Sequence, residues 1–427
     1  MSIDIPATAA SRIGDVAAIL RKVDQSRAEL IELTRQLVRL PSETPPSDTH
    51  AVAQFVAAHL AQLENVEASL HPSFAPVTNL VAVARGNRPG KRFVLNGHLD
   101  TYPAGDAADW MDAPFSGAVR DDRIFGRGAA DMKGGVVCSL KAFTLLANNP
   151  HLWSGELVLA LAGDEESMGT LGTKFLLDTV PQAHGDAMLC GDVGSPLVPR
   201  IGEKGMIWIN VYATGIPAHG AHVHRGVNAI DALRRAMDAL AGLADLPVVA
   251  PPEVTRVIHA AKPVSEPLSG DGEADVLGRI TVNFGRIAGG QTANLVADQA
   301  EVNADIRLPM GTSVVDVEAE IERLLAPLNG IRFEITRRYE PTWTNPDDPV
   351  VDAVLHACRT VLGREPAINM RVGASDARLY RAAGIPTIVC GLTPHNLGAP
   401  DEFVEIDELV AVAKIHTLAA LTFLAPE

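Results

Sequence analysis

The sequence is poor in cysteine, in positive charge and in long apolar runs. Four cysteines (Cys138, Cys190, Cys358, Cys390) occur in 427 residues, with no CxxC pair among them. That argues against a secreted disulfide framework or a thiolate zinc site and favours a reducing, cytoplasmic setting. Lys and Arg number 36 against 52 Asp and Glu, a formal charge of −16, and no basic cluster stands out. Nucleic acid and anionic membrane surfaces are therefore not the expected partners, because phosphate binding needs clustered cations. No apolar stretch approaches the ~20 residues that span a bilayer. The N-terminal MSIDIPATAASRIGDVAAIL has no basic region ahead of an apolar core, so no signal peptide is expected. HExxH and GxSxG are missing too, which removes the common zinc-protease and serine-hydrolase signatures.

What is present is ordinary globular material, 47% apolar and 21% charged. Apolar spacing predicts helices over 14–40 and 48–64. Short apolar strands (NLVAVARG, KRFVLNGHLD, GELVLALAGDEE, AMLCGDV) then alternate with helical segments such as GVVCSLKAFTLLA. Strands too apolar to be half exposed predict an α/β domain with a mostly parallel sheet covered by helices. Beyond Glu203 the pattern changes. MIWINVYATG alternates in-out, VNAIDALRRAMDALAGL is amphipathic, and a proline-rich loop leads to RITVNFGRI, EVNADIRL, a helix at 313–326 and IRFEITRR. That β-α-β-β-α-β order predicts an inserted α+β, ferredoxin-like domain over 204–339, with 1–203 and 340–427 forming the first domain.

Polar chemistry gathers where strands should end. His98 and Asp100 in NGHLD share one side of a strand, and a carboxylate beside an imidazole suits a metal site; alone, such a pair is more often a solvated loop. In GRGAADMKGG, Asp131 stands where the third glycine of a dinucleotide loop belongs, leaving a tight turn that presents Asp131 or a helix N-cap. In GDEES, Glu165 and Glu166 point in different directions, so one suits a metal ligand and the other a general base; an acidic helix start is the plain alternative. Asp192 follows another apolar strand, and His395 follows TIVCGL. Imidazole and carboxylate without thiolate suit zinc, cobalt or manganese in a hydrolytic site. Cys138 and Cys190 lie in apolar sequence and read as buried thiols.

Taken together, GHLDTYP, GRGAADMKGG, GDEES, PAHGAHVHRGVNAI, ASDARLY and His395 resemble the M20 family of metallopeptidases and deacylases in order and spacing over nearly the whole chain. The resemblance implies a divalent transition metal, one or two per chain. His98 and Asp192 would hold one ion, Glu166 and His395 the other, and Asp131 would bridge. It implies Glu165 as general base, Asp100 orienting His98, and the inserted domain as a lid through which at least a dimer forms. His219 would cross that dimer to stabilise an oxyanion. Asn294, Arg307 and Arg378 would meet a substrate carboxylate, a task suited to guanidinium. His222 and His224 line a pocket, form an interface or are merely solvated.

The expected reaction is hydrolysis of a C–N bond in a small carboxylate-bearing substrate, by N-acyl amino acid deacylation or dipeptidase-like cleavage. One alternative is an aminohydrolase releasing ammonia from an aromatic amino acid such as 5-nitroanthranilate; AHGAHVHRG departs from the AHSS-type segment of the deacylases. The other is a non-catalytic binding relative, against which the presence of Glu165 and every ligand counts.

Overall fold

The computed structural model describes residues 7–426; the first six residues of the stretch read for a leader, and Glu427, lie outside it. The chain divides into two compact units, Met1–Ile201 with Thr344–Ile368 and Ser375–Glu427, and Gly202–Trp343 with Asn369–Ala374.

The sheet of the first unit runs in the order Val66–Pro72, Thr78–Arg85, Glu156–Ala162, Arg92–His98, Ala187–Cys190, Thr387–Val389 and then Arg200. Its centre is parallel: Arg92–His98 pairs in parallel with both Glu156–Ala162 and Ala187–Cys190, and Thr387–Val389 continues the run. The flanks are antiparallel, so the sheet is mixed rather than uniformly parallel. The central strands are apolar on both faces because both faces are covered. On one face Val94, Val158, Ala160 and Met188 meet Leu176 and Tyr380. On the other the helices Gly134–Ala147 and Ile406–Phe423 pack together. The expected 14–40 helix is two helices, Ala7–Gln25 and Arg27–Val38, parted at Ser26. A parallel centre sends the carboxyl ends of Arg92–His98, Glu156–Ala162 and Ala187–Cys190 to one edge, the edge where open α/β sheets bind ligands.

A small sheet supports that edge. Phe403–Glu405 pairs with Arg123–Phe125, which pairs with Ala118–Arg120, bringing Glu402 beside the glycine-rich turn at 126–133.

The second unit is a four-stranded antiparallel sheet in the order Thr281–Gly289, Gln299–Leu308, Gly205–Thr214, Ile331–Tyr339. Alternation explains its single core: Ile207, Ile209 and Val211 with Val302 and Ile306 pack with Leu233 and Ile321 of the helices Ala229–Ala241 and Val314–Leu325. Two expectations need correction. The proline-rich loop is a helix, Pro252–Ser269, followed by Glu273–Gly278. Its buried stripe, Val254, Val257, Ile258 and Ala261, has helical spacing, Pro252 occupies the first turn, and Pro263 and Pro267 lie on the exposed side. The unit also exceeds 204–339, because Asn369–Arg371 packs against this helix.

Among the described residues no helix is long and apolar enough to cross a membrane.

Candidate active site

Two strand ends and an irregular turn build the site. His98 is the last residue of Arg92–His98 and is 2% exposed. Its Nδ1 faces the Asp100 carbonyl at 2.9 Å and its Nε2 faces Asp131 Oδ1 at 3.0 Å. With the Nδ1 proton donated to that carbonyl, Nε2 presents a lone pair to a carboxylate oxygen. Two acceptors at that separation require a proton or a metal cation between them.

Asp131 lies in the irregular turn Ala129–Lys133, whose position is set from a distance. Glu402 accepts Ala130 N at 2.8 Å and Asp131 N at 3.1 Å through one oxygen and pairs with Arg127 Nη1 at 2.5 Å through the other. Gly128, at φ +82°, has no room for a side chain, since a Cβ would sit 2.5 Å from Thr101 Cγ2.

Glu165 and Glu166 open a tight turn, Glu165–Ser167, just beyond Glu156–Ala162. Asp100, fully buried, holds that turn: Oδ1 accepts Glu165 N at 3.0 Å, and Oδ2 accepts Glu166 N at 3.1 Å and Thr44 Oγ1 at 2.8 Å. One carboxylate therefore ties the histidine's own loop to both glutamates. His98 Nδ1 lies nearer the Asp100 carbonyl, at 2.9 Å, than the Asp100 carboxylate, whose Oδ1 is 3.6 Å away.

One ligand atom each from His98, Asp131 and Glu166 lie within 4.8 Å of one another. Glu166 Oε1 is buried and without a hydrogen-bond partner. A buried orphan carboxylate oxygen is costly unless a cation meets it, so the donor set fits a divalent metal. The titration behaviour agrees. Burial, then the Asp131 carboxylate, push Glu166 up to about 11. Burial, with Asp376 and Asp192, holds Glu165 well above the usual carboxylate range, although His98 and Arg378 draw it back. Burial disfavours charged His98, but the hydrogen bond and charge of Asp131, together with the Glu165 and Asp100 carboxylates, outweigh it and raise the imidazole well above its ordinary value. Crowded carboxylates without a cation behave in this way.

The structure does not gather every expected ligand. Asp192 is buried two residues past Ala187–Cys190, and its Oδ1 accepts Val193 N at 2.5 Å. The His395 ring stacks on Phe403, 4.4 Å between centroids and 2° from parallel. Neither belongs to the three-residue group. Arg378 is buried with its terminal nitrogens on backbone carbonyls.

The remaining candidates are in the second unit. His219, His222 and His224 are exposed, with successive ring centroids 5.9 Å apart. His219 Nδ1 accepts Ala221 N at 3.1 Å, and Asn294 O accepts Gly220 N at 2.7 Å, so His219 and Asn294 sit on adjoining backbone. Arg307 donates to Asp305 at 3.0 Å and to Tyr339 Oη at 3.3 Å. Sequence reasoning missed Glu402 and Thr44, because neither lies within a recognisable motif.

Residues 94–422 match the model of Peptidase family M20/M25/M40. The chain belongs to that family. It is accordingly a hydrolase acting on C–N bonds. A succinyl-diaminopimelate desuccinylase of Methylorubrum populi is 30% identical over 412 residues, 92% of this chain and 96% of the relative. Among solved structures, an M20 family metallo-carboxypeptidase from Sulfolobus solfataricus superposes with TM-score 0.77 at 19% identity, covering 92% of this chain and 99% of that one. The Bacillus subtilis YXEP protein, a dinuclear metal binding peptidase of the M20 family, does so with TM-score 0.66 at 14% identity, covering 94% and 99%. These likenesses establish the fold; the M20 site can hold a metal through His98, Asp131 and Glu166.

Proposed function

We propose that this M20 hydrolase removes the acyl group from an N-acyl amino acid, or cleaves a dipeptide-like amide, in a small substrate that carries a carboxylate. The observation that carries the reading is the His98–Asp131–Glu166 group, in which His98 and Asp131 are buried and Glu166 keeps a buried orphan oxygen, directly beside buried Glu165. The desuccinylase relative, similar over almost its full length, supports deacylation as the leading form.

The ion would be held by His98, Asp131 and Glu166, with Asp192 and His395 as the further donors that the family resemblance assigns; one or two ions of Zn²⁺, Mn²⁺ or Co²⁺ suit such a set. Bound there, a divalent ion supplies Lewis acidity to the scissile carbonyl and lowers the pKa of water. Glu165 takes the proton of the attacking water and returns it to the leaving nitrogen. Asp100 holds the backbone of Glu165 and Glu166 and the tautomer of His98, and Glu402 holds Asp131. Asn294 and Arg307 recognise the substrate carboxylate, and His219 stabilises the oxyanion from the partner of a dimer formed through the second unit. His222 and His224 follow His219 on the same exposed turn and contribute to that face. Four buried free cysteines support a reducing, cytoplasmic setting.

A panel of N-acyl amino acids, dipeptides and aromatic amino-carboxylates, assayed with each of the three metals, tests the reading. Amine release from the first two classes is expected. Ammonia release from the third alone would transfer the site to an aminohydrolase, and no turnover by metal-loaded protein would favour a binding role.

A further inference from the structure

Arg378 has surroundings that suit another task than meeting a substrate. The residue is 3% exposed, Nη1 donates to the Ser375 carbonyl at 2.6 Å, and Nη2 donates to the Met168 carbonyl at 2.7 Å. Nη1 also stands 3.8 Å from Glu165 Oε1. Bidentate capture of a soluble carboxylate needs two parallel N–H groups turned toward it. Here both terminal nitrogens are turned onto backbone carbonyls of two different turns.

The turn that carries Met168 also carries Glu165. Met168 N donates to Glu165 O at 2.6 Å, and Gly169 N donates to Asp164 O at 2.9 Å. Met168 (φ +80°) and Gly169 (φ +70°) are both left-handed. A left-handed methionine persists only where its neighbours over-determine it. Arg378 and the 376–379 turn are those neighbours. Arg378 grips the Met168 carbonyl, and a Cβ on Gly169 would lie 2.7 Å from Asp376 Oδ1 and 2.9 Å from Leu379 Cδ1. Asp376 Oδ2 accepts Thr173 Oγ1 at 2.8 Å, tying the 375–378 turn to the helix Thr173–Thr179. Three segments thus interlock around one guanidinium.

We infer that Arg378 is a positioning residue for Glu165: it fixes the Glu165–Gly169 turn through the Met168 carbonyl, sets a fixed cation beside the Glu165 carboxylate, and does not bind substrate. The inference rests on Glu165 being the general base proposed above. Displacement of a reacting group by about 1 Å costs on the order of 100-fold in rate. Loss of the clamp therefore acts on kcat rather than on KM.

The test compares wild type, Arg378→Met and Arg378→Lys, each loaded with metal, by steady-state kinetics and by amide hydrogen exchange over residues 164–170. For Arg378→Met, kcat is expected to fall about 100-fold with KM within about threefold, and exchange at Met168 and Gly169 to rise at least about tenfold. Lysine keeps the charge but reaches a single carbonyl, so Arg378→Lys should fall between the two; it also carries the test should the methionine variant not fold. A KM rise of about tenfold with kcat preserved would return Arg378 to the substrate carboxylate. Unchanged exchange would overturn the clamp. A wild type inactive on every substrate, with exchange still raised in the variants, would uphold the clamp and count against the role of Glu165.

Discussion

Asp100→Asn is the sharpest single-atom probe of how the site is held. The substitution keeps the volume of a fully buried side chain and replaces one oxygen by an NH₂ group that cannot accept. If the amide nitrogen takes the Oδ1 position, Glu165 N–H loses its 3.0 Å acceptor; if it takes the Oδ2 position, Glu166 N–H loses its 3.1 Å acceptor. Thr44 can rotate its hydroxyl to accept instead of donate, but a backbone N–H has no such freedom. One buried donor is therefore orphaned in either orientation, at about 1–3 kcal/mol, and the remaining bonds lose their ionic component. Unfolding in urea should show a loss of about 2–3 kcal/mol. Because the same carboxylate holds the turn bearing Glu166 and adjoins His98, metal affinity measured by competition with a chromophoric chelator should fall about 10–100-fold. A variant with stability within 0.5 kcal/mol of wild type, as a rough threshold, and unchanged metal affinity would refute this reasoning.

Other perturbations separate the remaining parts of the account. Glu402→Ala removes the acceptor of Ala130 N and Asp131 N and leaves buried Arg127 without its carboxylate, so a loss of about 3–5 kcal/mol in denaturant unfolding and weaker metal binding are expected together; retention of both would detach Glu402 from the site. His416, fully buried between Ser139 and the Cys390 carbonyl, is lowered by burial from 6.5 to about 4. Between those values the unfolded chain binds a proton that the folded chain refuses, so stability is complete above pH 6.5 and declines as pH falls to 4, by about 3 kcal/mol in all. Unfolding curves at pH 7 and pH 5 should show wild type losing about 2 kcal/mol more than His416→Gln; equal losses would contradict this. Mixing His219→Ala with Glu165→Gln should restore part of the activity if the lid histidine acts across a dimer, and no recovery would count against it.

Some of this was readable from local pattern. The i, i+2 relation of His98 and Asp100, and two glutamates directly after an apolar strand, are short-range signals, and the parallel centre of the sheet converts them into one edge. Glu402 was not readable, because its function depends on a turn 271 residues earlier in the chain. In sequence it is one acid within APDEFVE. The helix Pro252–Ser269 was hidden by its prolines, whose cost the burial of the opposite stripe offsets. Arg378 reads in sequence as a candidate substrate ligand, because a guanidinium beside a motif is ambiguous until its partners are known. Its terminal nitrogens meet two backbone carbonyls, and nothing in the sequence reports them.

The most direct test of the central claim is a comparison of metal binding and turnover in wild type and Glu165→Gln. If Glu165 is the base and not a ligand, both proteins bind the same number of ions, and amine release by the variant falls about 1,000-fold. Full activity in the variant, or loss of its metal, would contradict the account.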